Sequence, residues 1–289
     1  MTAPVGLGGW VAFRKSIGTA QQAAALAVEC GCEWVAPRAG AGGLNDAAFH
    51  DPTAEIAAYK AAGLRVYPWL YSYPGSWRAE VEAFRRLMLA GADGVIIDAE
   101  IEWQGHQAEA AAYMTALRVA LPDAFIADAP WPLIGWHATF PAREFAAGVN
   151  MRMCQAYWTQ INTSGAAWTL DKMDSQWALL HAAHPEIVRD MAPIGVTYGN
   201  RELKKAGAGG CPGEIAVADV VSFLDRYPGA PVSLYSLEVM APEVKSALVA
   251  RAAARHPATL RSPEVPRASS ETAPLTEAAR MAAELVNVP

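Results

Sequence analysis

GADGVIIDAEIEW, residues 91–103, is the stretch that decides the fold of this chain. Asp98, Glu100 and Glu102 recur at alternate positions of a mostly apolar run, which predicts a buried strand. Because alternate side chains of a strand share a face, the three carboxylates lie on one face together with Ile96. The opposite face is apolar throughout. One face therefore begins apolar and turns acidic toward its C-terminal end, a pattern that a purely structural strand does not need.

Strand-like and helix-like segments alternate on both sides of this stretch. The predicted strands are residues 8–14, 33–40, 64–73, 91–103, 125–131, 149–158, 191–199 and 230–240. Eight β-α units in about 255 residues predict an α/β fold, a (β/α)8 TIM barrel formed by residues 1–255. A doubly wound open sheet is the competing architecture. It is disfavoured because no GxGxxG motif opens a first helix and no change in composition divides the chain.

Residues 256–289 differ from the barrel in composition. Residues 256–274 are rich in Pro and Ser, which predicts an extended linker or a tail lying on the surface. Residues 275–286 carry apolar side chains at helical spacing, which predicts a short C-terminal helix that docks on the barrel.

Composition excludes several classes of function. The formal net charge is −6, which provides no basic surface and predicts no nucleic-acid partner. No uncharged apolar run reaches transmembrane length, so we expect no membrane insertion. The N-terminus lacks a charged segment followed by an apolar one, which predicts a protein that is cytoplasmic as synthesised and reaches a cell wall, if at all, by a separate route. Nothing in the sequence sets an oligomeric state.

Metal and cofactor chemistry is also disfavoured. The four cysteines are irregularly spaced, and the six histidines fall in predicted helices or loops instead of at strand ends. No GxSxG elbow is present. We therefore predict no metal site and no cofactor.

The acidic end of the strand at 91–103 falls at the barrel rim where active sites of this fold lie. Carboxylates that share one face push their pKa values apart, so that one stays protonated near neutral pH and can act as a general acid. Asp98 and Glu100 are the expected pair, whereas a solvated loop position suits Glu102 equally well. A salt-bridge cluster with Arg14 and Arg38 is the structural alternative.

Other strand ends predict a polar pocket with aromatic walls, suited to the apolar faces of sugar rings. The side chains expected to bind substrate there are Arg38, Trp69, Tyr71, Asp128, Gln155, Trp158, Tyr198 and Glu238. The expected partner is therefore a polysaccharide.

The stretch DGVIIDAE, residues 93–100, resembles the fourth-strand signature D-G-x-D-x-D-x-E of family-18 glycosidases. Its D-x-E pair is also similar to the fourth-strand acids of family-25 muramidases, and Tyr157 in MCQAYW is similar to the sixth-strand tyrosine of chitinases. The resemblance implies retaining cleavage assisted by the substrate's own N-acetyl group. Glu100 would then donate the proton, Asp98 would orient the acetamido group and Tyr157 would hydrogen-bond to it. Such an enzyme would act on peptidoglycan or a chitin-like glycan. An enzyme that cleaves peptidoglycan would resemble a phage endolysin.

Three positions depart from these patterns. Ile96 occupies the middle Asp of the signature, the first strand lacks the Asp of muramidases, and the eighth lacks the Trp of chitinases. A non-catalytic carbohydrate-binding or assembly protein on a degenerate glycosidase barrel is therefore the alternative function. A barrel lyase or isomerase, with Glu100 as base and a phosphate site near residues 199–212, is a third.

Overall fold

The computed structural model describes residues 3–44, 53–207 and 210–255. Within these ranges the chain forms ten strands and eleven α-helices. The strands are β1 Leu7–Val11, β2 Trp34–Ala41, β3 Arg65–Val66, β4 Trp69–Ser72, β5 Gly94–Ala99, β6 Phe125–Asp128, β7 Met151–Arg152, β8 Asp190–Met191, β9 Ile194–Val196 and β10 Val232–Tyr235. The helices are α1 Arg14–Ile17, α2 Ala20–Glu29, α3 Thr53–Ala61, α4 Trp77–Leu89, α5 Gln107–Ala120, α6 Ala142–Gly148, α7 Trp158–Ile161, α8 Gly165–Ala183, α9 Asn200–Lys205, α10 Val217–Arg226 and α11 Pro242–Arg255. The predicted tail, residues 256–289, lies outside the described residues.

Parallel pairing between neighbouring strands closes the sheet into a barrel. From β1 the sheet runs through β2, β4, β5, β6 and β7 to β8, and in the other direction through β10 to β9. A parallel bridge between Gln155 and Ile194 joins the chain after β7 to β9 and completes the circuit. The predicted (β/α)8 TIM barrel is confirmed, with β3 and β4 as two pieces of its third strand and β8 and β9 as two pieces of its seventh.

The first long helix shows how local sequence sets an element boundary. Thr19 precedes α2, and its hydroxyl accepts a hydrogen bond from the Gln22 backbone N–H at 3.2 Å. The Gln22 side chain in turn accepts from the Thr19 N–H at 2.7 Å, which completes a capping box. Gly31 follows the helix with φ of 77°, a conformation that glycine adopts without steric cost. None of the helices in the described ranges is long and apolar enough to cross a bilayer.

Several predicted strands are shorter or broken in the structure, and the third, fourth and sixth matter most for the site. The third was predicted as one run over 64–73, but it is interrupted at Tyr67 and Pro68, and Pro68 has no N–H to donate to a neighbouring strand. The fourth ends at Ala99 instead of reaching residue 103. Glu100 has φ of −125° and ψ of −140°, and Ile101–Trp103 forms a single 3-10 turn. Glu100 is thus the first residue beyond β5.

The sixth barrel strand, predicted over 149–158, is regular only over Met151–Arg152. Its C-terminal half turns through successive hydrogen bonds between residues two apart, from the Tyr157 N–H to the Gln155 carbonyl at 2.8 Å and from the Trp158 N–H to the Ala156 carbonyl at 2.9 Å. This turn decides where the side chains after β7 point.

The interior of the barrel below its C-terminal rim is packed. Residues paired in register on parallel strands share a face, so Trp69, which pairs with Ile96, faces inward beside Trp10. The two indole rings lie 5.5 Å apart, and their N–H groups donate to the Ser233 hydroxyl and the Ala36 carbonyl at 2.9 and 3.0 Å. Because the centre is filled and its polar groups are satisfied, a functional site must lie above these rings, at the rim.

Candidate active site

Asp98 and Glu100, the acid pair, lie at the C-terminal mouth of the barrel. Asp98 is two residues beyond Ile96 on the inward face of β5, and it pairs in register with Tyr71 of β4. Glu100 follows directly after the strand. Both side chains are largely withdrawn from solvent, with 6% and 4% of their surface exposed. The sequence pattern thus predicted the position of both carboxylates.

One amide group holds the two carboxylates together. The side-chain nitrogen of Gln155 donates to Asp98 Oδ1 at 2.7 Å and to Glu100 Oε1 at 3.0 Å. The same nitrogen lies 2.8 Å from the carbonyl of Ala129. Since an amide nitrogen carries two hydrogens, three acceptors must share them. The opposite amide orientation would direct an oxygen at two carboxylates, so the network itself assigns the nitrogen to this side.

Burial raises the pKa of both acids, and a neighbouring carboxylate adds to the shift of each. The pKa of Glu100 is raised to about 7, chiefly by burial, with the Gln155 hydrogen bond opposing the shift. The pKa of Asp98 is raised well above its usual value, by burial and by the neighbouring Glu100. Two like charges so close cannot both ionise freely, so the acid pair titrates as a unit and retains at least one proton at neutral pH. A carboxyl that stays protonated at neutral pH can serve as a general acid.

Glu102 belongs to the site more closely than the sequence suggested. It lies half-buried in the 3-10 turn after β5 and accepts a hydrogen bond from the Tyr71 hydroxyl at 2.9 Å. Its charge raises the pKa of both Glu100 and Asp98. From strand alternation alone, a solvated loop position suited Glu102 as well as a role in the site. Alternation does not reveal the turn that folds the chain back toward Tyr71.

A buried glutamate on α4 supports this part of the rim. Glu80 accepts hydrogen bonds from the Ser72 hydroxyl at 2.6 Å and from the Tyr73 N–H at 2.9 Å. The indole of Trp103 donates to the Ser72 carbonyl at 3.0 Å, which ties the segment after β5 to the end of β4. Burial raises the pKa of Glu80. Sequence reasoning missed this residue, since a charged side chain in an amphipathic helix is usually exposed.

Arg38 brings a positive charge to the mouth. It lies at an irregularity in the pairing of β2 with β4, and its guanidinium is 5.0 Å from the centre of the Trp69 ring. Its charge lowers the pKa of both members of the acid pair, against the larger effect of burial. Arg14, the other arginine of the predicted salt-bridge alternative, is paired with Glu55 instead.

Tyr157 and Tyr235 form an aromatic wall beside the acid pair. Their rings stack with centroids 5.1 Å apart, and each side chain is 6% exposed. Burial raises the pKa of Tyr157, and the neighbouring Tyr235 and Asp98 raise it further. Tyr235 lies on the inward face of β10, in register with Val196.

Glu238 closes the mouth on the side of the first strand. Its Oε1 atom accepts hydrogen bonds from the backbone N–H groups of Ala12 and Phe13, both at 2.9 Å. Burial raises its pKa to about 7. Glu238 therefore anchors the loop after β1 to the segment after β10.

Three of the expected substrate-binding residues lie away from the mouth. Asp128 pairs in register with Ile97 on the outward face of the sheet, and its carboxylate lies 3.3 Å from the guanidinium of Arg152. The ring of Trp158 packs against Phe223 of α10. Tyr198 lies behind Tyr235 and accepts a hydrogen bond from the Gln160 amide at 2.5 Å. Asp128, Trp158 and Tyr198 are at most 1% exposed, so they have no surface with which to contact a glycan.

Metal-ligating groups do not converge in the described part of the chain. No cluster of three or more His, Cys, Asp or Glu side chains in these ranges could hold an ion. The four cysteines are buried and unbridged.

Several solved structures have the same fold as this chain. The structure is similar to a family-18 chitinase from Flavobacterium johnsoniae, with a TM-score of 0.61, 10% identity, and coverage of 88% of this chain and 96% of that one. It is also similar to a class V chitinase from Pseudomonas fluorescens, with a TM-score of 0.57, 13% identity and coverage of 85% and 98%. A family-18 N-acetylglucosaminidase from Paenibacillus barengoltzii gives a TM-score of 0.55, 9% identity and coverage of 85% and 99%. No protein-family model matches the sequence, and no curated protein matches it significantly. The chain thus has the same TIM-barrel fold as these family-18 structures, at 9–13% sequence identity.

Proposed function

We propose that this protein is a glycoside hydrolase that cleaves an N-acetylated glycan, chitin-like or peptidoglycan, with retention of configuration. The observation that carries the proposal is the acid pair at the mouth, held by the Gln155 amide and buried so that the pKa of Glu100 is raised to about 7. Chitinases and an N-acetylglucosaminidase among the structural neighbours support an N-acetylated substrate.

Glu100 would act first as general acid. Its carboxyl proton passes to the glycosidic oxygen while the bond from that oxygen to the anomeric carbon breaks. The ionised Glu100 then removes a proton from the incoming water, which attacks the same carbon. A pKa near 7 suits both steps, because the group must be protonated in the first and ionised in the second.

Asp98 and Tyr157 would assist the substrate's acetamido group. The acetamido oxygen attacks the anomeric carbon as the leaving group departs, which forms an oxazolinium-like intermediate. The incoming water then displaces this oxygen from the anomeric carbon, which restores the acetamido group. Asp98 accepts the acetamido N–H and stabilises the positive charge, and the Tyr157 hydroxyl donates to the acetamido oxygen. The stacking of Tyr157 on Tyr235 supports this role, because it fixes the direction of the phenol ring.

The remaining mouth residues would bind the sugar rings. Tyr71 and Arg38 offer polar groups beside the acid pair, and Gln155 and Glu238 hold the flanking segments in place. Trp69 lies lower, beneath Arg38, and is only 2% exposed. We expect it to support the floor of the pocket.

The test is an activity assay on chitooligosaccharides and on a peptidoglycan suspension with wild type, Glu100→Gln and Asp98→Asn. We expect wild type to cleave one of these glycans and Glu100→Gln to lose about 10²- to 10⁴-fold in rate, which is the usual contribution of a general acid. Glu82→Gln is the matched control, since Glu82 lies on the outer surface of α4, paired with Arg85 at 2.8 Å. Equal activity of wild type and Glu100→Gln would exclude Glu100 as the acid.

A carbohydrate-binding protein without activity is the second candidate. Ile96, fully buried beneath Asp98, favours it, because no carboxylate occupies that position to share a proton with Asp98. In that case calorimetry would detect glycan binding by wild type and Glu100→Gln alike, and chromatography would detect no cleavage products from either.

A further inference from the structure

Among the described residues at the mouth, Glu102 is a carboxylate to which the proposed chemistry assigns no role. It is half-buried, and its Oε2 atom accepts a hydrogen bond from the Tyr71 hydroxyl at 2.9 Å. Tyr71 pairs in register with Asp98, so the Tyr71–Glu102 contact lies directly beside the acid pair.

Hydrogen bonds on two neighbouring segments fix the backbone around Glu102. On its own segment, the Trp103 N–H donates to the Glu100 carbonyl at 3.0 Å, which closes the turn that contains Glu102. On the facing segment, Glu80 holds Ser72 and Tyr73, the two residues that follow Tyr71. The Trp103 indole bonded to the Ser72 carbonyl joins the two segments. The backbone at Glu102 therefore cannot move away from the acid pair without breaking this arrangement, and the Tyr71 hydroxyl holds its carboxylate.

We propose that Glu102 is a positioning residue that keeps a negative charge beside the acid pair and so retains the proton that the proposed general acid donates. The catalytic role of Glu102 rests on the proposed function, whereas the effect of its charge on the pKa of the acid pair does not. The negative charge of Glu102 opposes ionisation of Glu100, and for Glu100 its effect exceeds the opposing effect of Arg38. Tyr71 directs its hydroxyl to Glu102, so this phenol holds the charge in place.

Other charged and titratable groups also face the acid pair. Arg38 is the cation that favours ionisation, and Gln155 also lowers the pKa of both acids through its hydrogen bonds. The groups that face the pair from the remaining strands are the phenols of Tyr157 and Tyr235, with Glu238 beyond Tyr235. Among the described residues near the pair, Glu102 is thus the carboxylate that adds negative charge from outside the pair itself.

The experiment is a pH titration of side-chain carboxyls by carbon-13 NMR, with the acid-pair signals assigned through Asp98→Asn and Glu100→Gln. We expect Glu102→Gln to lower the upper apparent pKa of the acid pair by about one unit, because a like charge has been removed. Glu102→Asp should retain most of the wild-type value, and Tyr71→Phe should shift it less than Glu102→Gln does. Glu82→Gln, which removes an exposed carboxylate elsewhere, should leave the titration unchanged.

An unchanged or raised pKa in Glu102→Gln would overturn the inference. If that variant failed to fold, an unchanged or raised pKa in Glu102→Ala would likewise overturn the inference, since removal of the charge would then have no effect on the acid pair. The titration needs no glycan, so it gives a result even if Glu100→Gln and wild type prove equally active. If the protein does cleave a glycan, the alkaline limb of the pH–rate profile should move to lower pH in Glu102→Gln by the same shift.

Discussion

The acid pair and the Asp128–Arg152 ion pair lie at the ends of adjacent strands, yet they are built in opposite ways. Asp98 faces the mouth, in register with Tyr71, whereas Asp128 pairs with Ile97 and faces the helices. Asp128 is fully buried with a cation 3.3 Å away, and that cation, Arg152, lies over the ring of Trp177 on α8 at 4.7 Å. The acid pair has a neutral amide as its nearest partner.

The difference separates a structural carboxylate from one that is suited to chemistry. Burial raises the pKa of Asp128 to about 6, and Arg152 opposes this shift, so that the carboxylate form is stabilised by a fixed partner. Asp128 has a cation beside it, whereas each acid of the pair has another carboxylate beside it. The acid pair therefore retains a proton instead of ionising fully. A buried ion pair depends on both of its members, whereas two buried acids lose their mutual repulsion when one is replaced by a neutral side chain.

The largest expected effect follows from breaking the ion pair. Arg152→Met leaves the carboxylate of Asp128 buried and uncompensated, and we expect it to lower the free energy of unfolding by about 3–5 kcal/mol. Urea denaturation measures the loss. The double variant Asp128→Asn with Arg152→Met should lose clearly less, because no charge then remains buried. Equal losses in the single and double variants would mean that the pair contributes no charge compensation.

Glu100→Gln should change the free energy of unfolding in the opposite direction. The folded-state pKa of Glu100, about 7, exceeds its ordinary value of 4.5, so the native state binds more protons than the unfolded state between these values. The stability of wild type therefore falls as the pH rises through this window, and a glutamine avoids the loss. We expect Glu100→Gln to be more stable than wild type by about 1–3 kcal/mol near pH 8 and no more stable near pH 4. A variant less stable than wild type at the higher pH would contradict the proposed ionisation of the pair.

Gln155→Leu tests the amide that joins the two acids. Since the hydrogen bonds from Gln155 lower the pKa of Asp98 and Glu100, their removal should raise the apparent pKa of the pair by less than about one unit. Loss of the donor should also lower the free energy of unfolding by about 1 kcal/mol near pH 8, where the carboxylates ionise. Carboxyl titration and thermal melts at two pH values measure both effects, and Gln155→Asn tests whether the reach of the amide matters.

The smallest effect is expected at the opposite end of the same strand. Asp93 belongs to the same sequence motif as the acid pair, but it lies before β5, where it pairs with Lys60 at 3.0 Å and accepts from the Val66 N–H at 2.9 Å. Lys60 is well exposed, with 43% of its side-chain surface accessible. We expect Lys60→Met to change stability by no more than about 1 kcal/mol and to leave the titration of the acid pair unchanged. A larger change would mean that exposure is a poor guide to the role of a carboxylate in this motif.

The site was predictable where strand alternation alone decides the direction of a side chain. Asp98 and Glu100 follow an apolar inward face, so their place at the rim could be inferred from one strand. Asp128 could not be assigned in this way. Its face depends on the stagger between β5 and β6, which aligns it with Ile97 instead of Asp98. Trp158 was expected at the mouth, but the chain turns after Gln155 and directs the indole toward the helices.

By itself, the sequence determined the barrel, the strand that carries the acids and the two carboxylates of the pair. These follow from local periodicity, because the spacing of apolar residues sets each element and the face it buries. Only the tertiary structure decided what surrounds those acids. Gln155, Tyr235 and Glu102 approach them from segments far apart in sequence or beyond a turn, and Asp128 turns away to meet Arg152. The physical reason is that burial and charge depend on every group that comes near in space, and register and turns between strands select those groups.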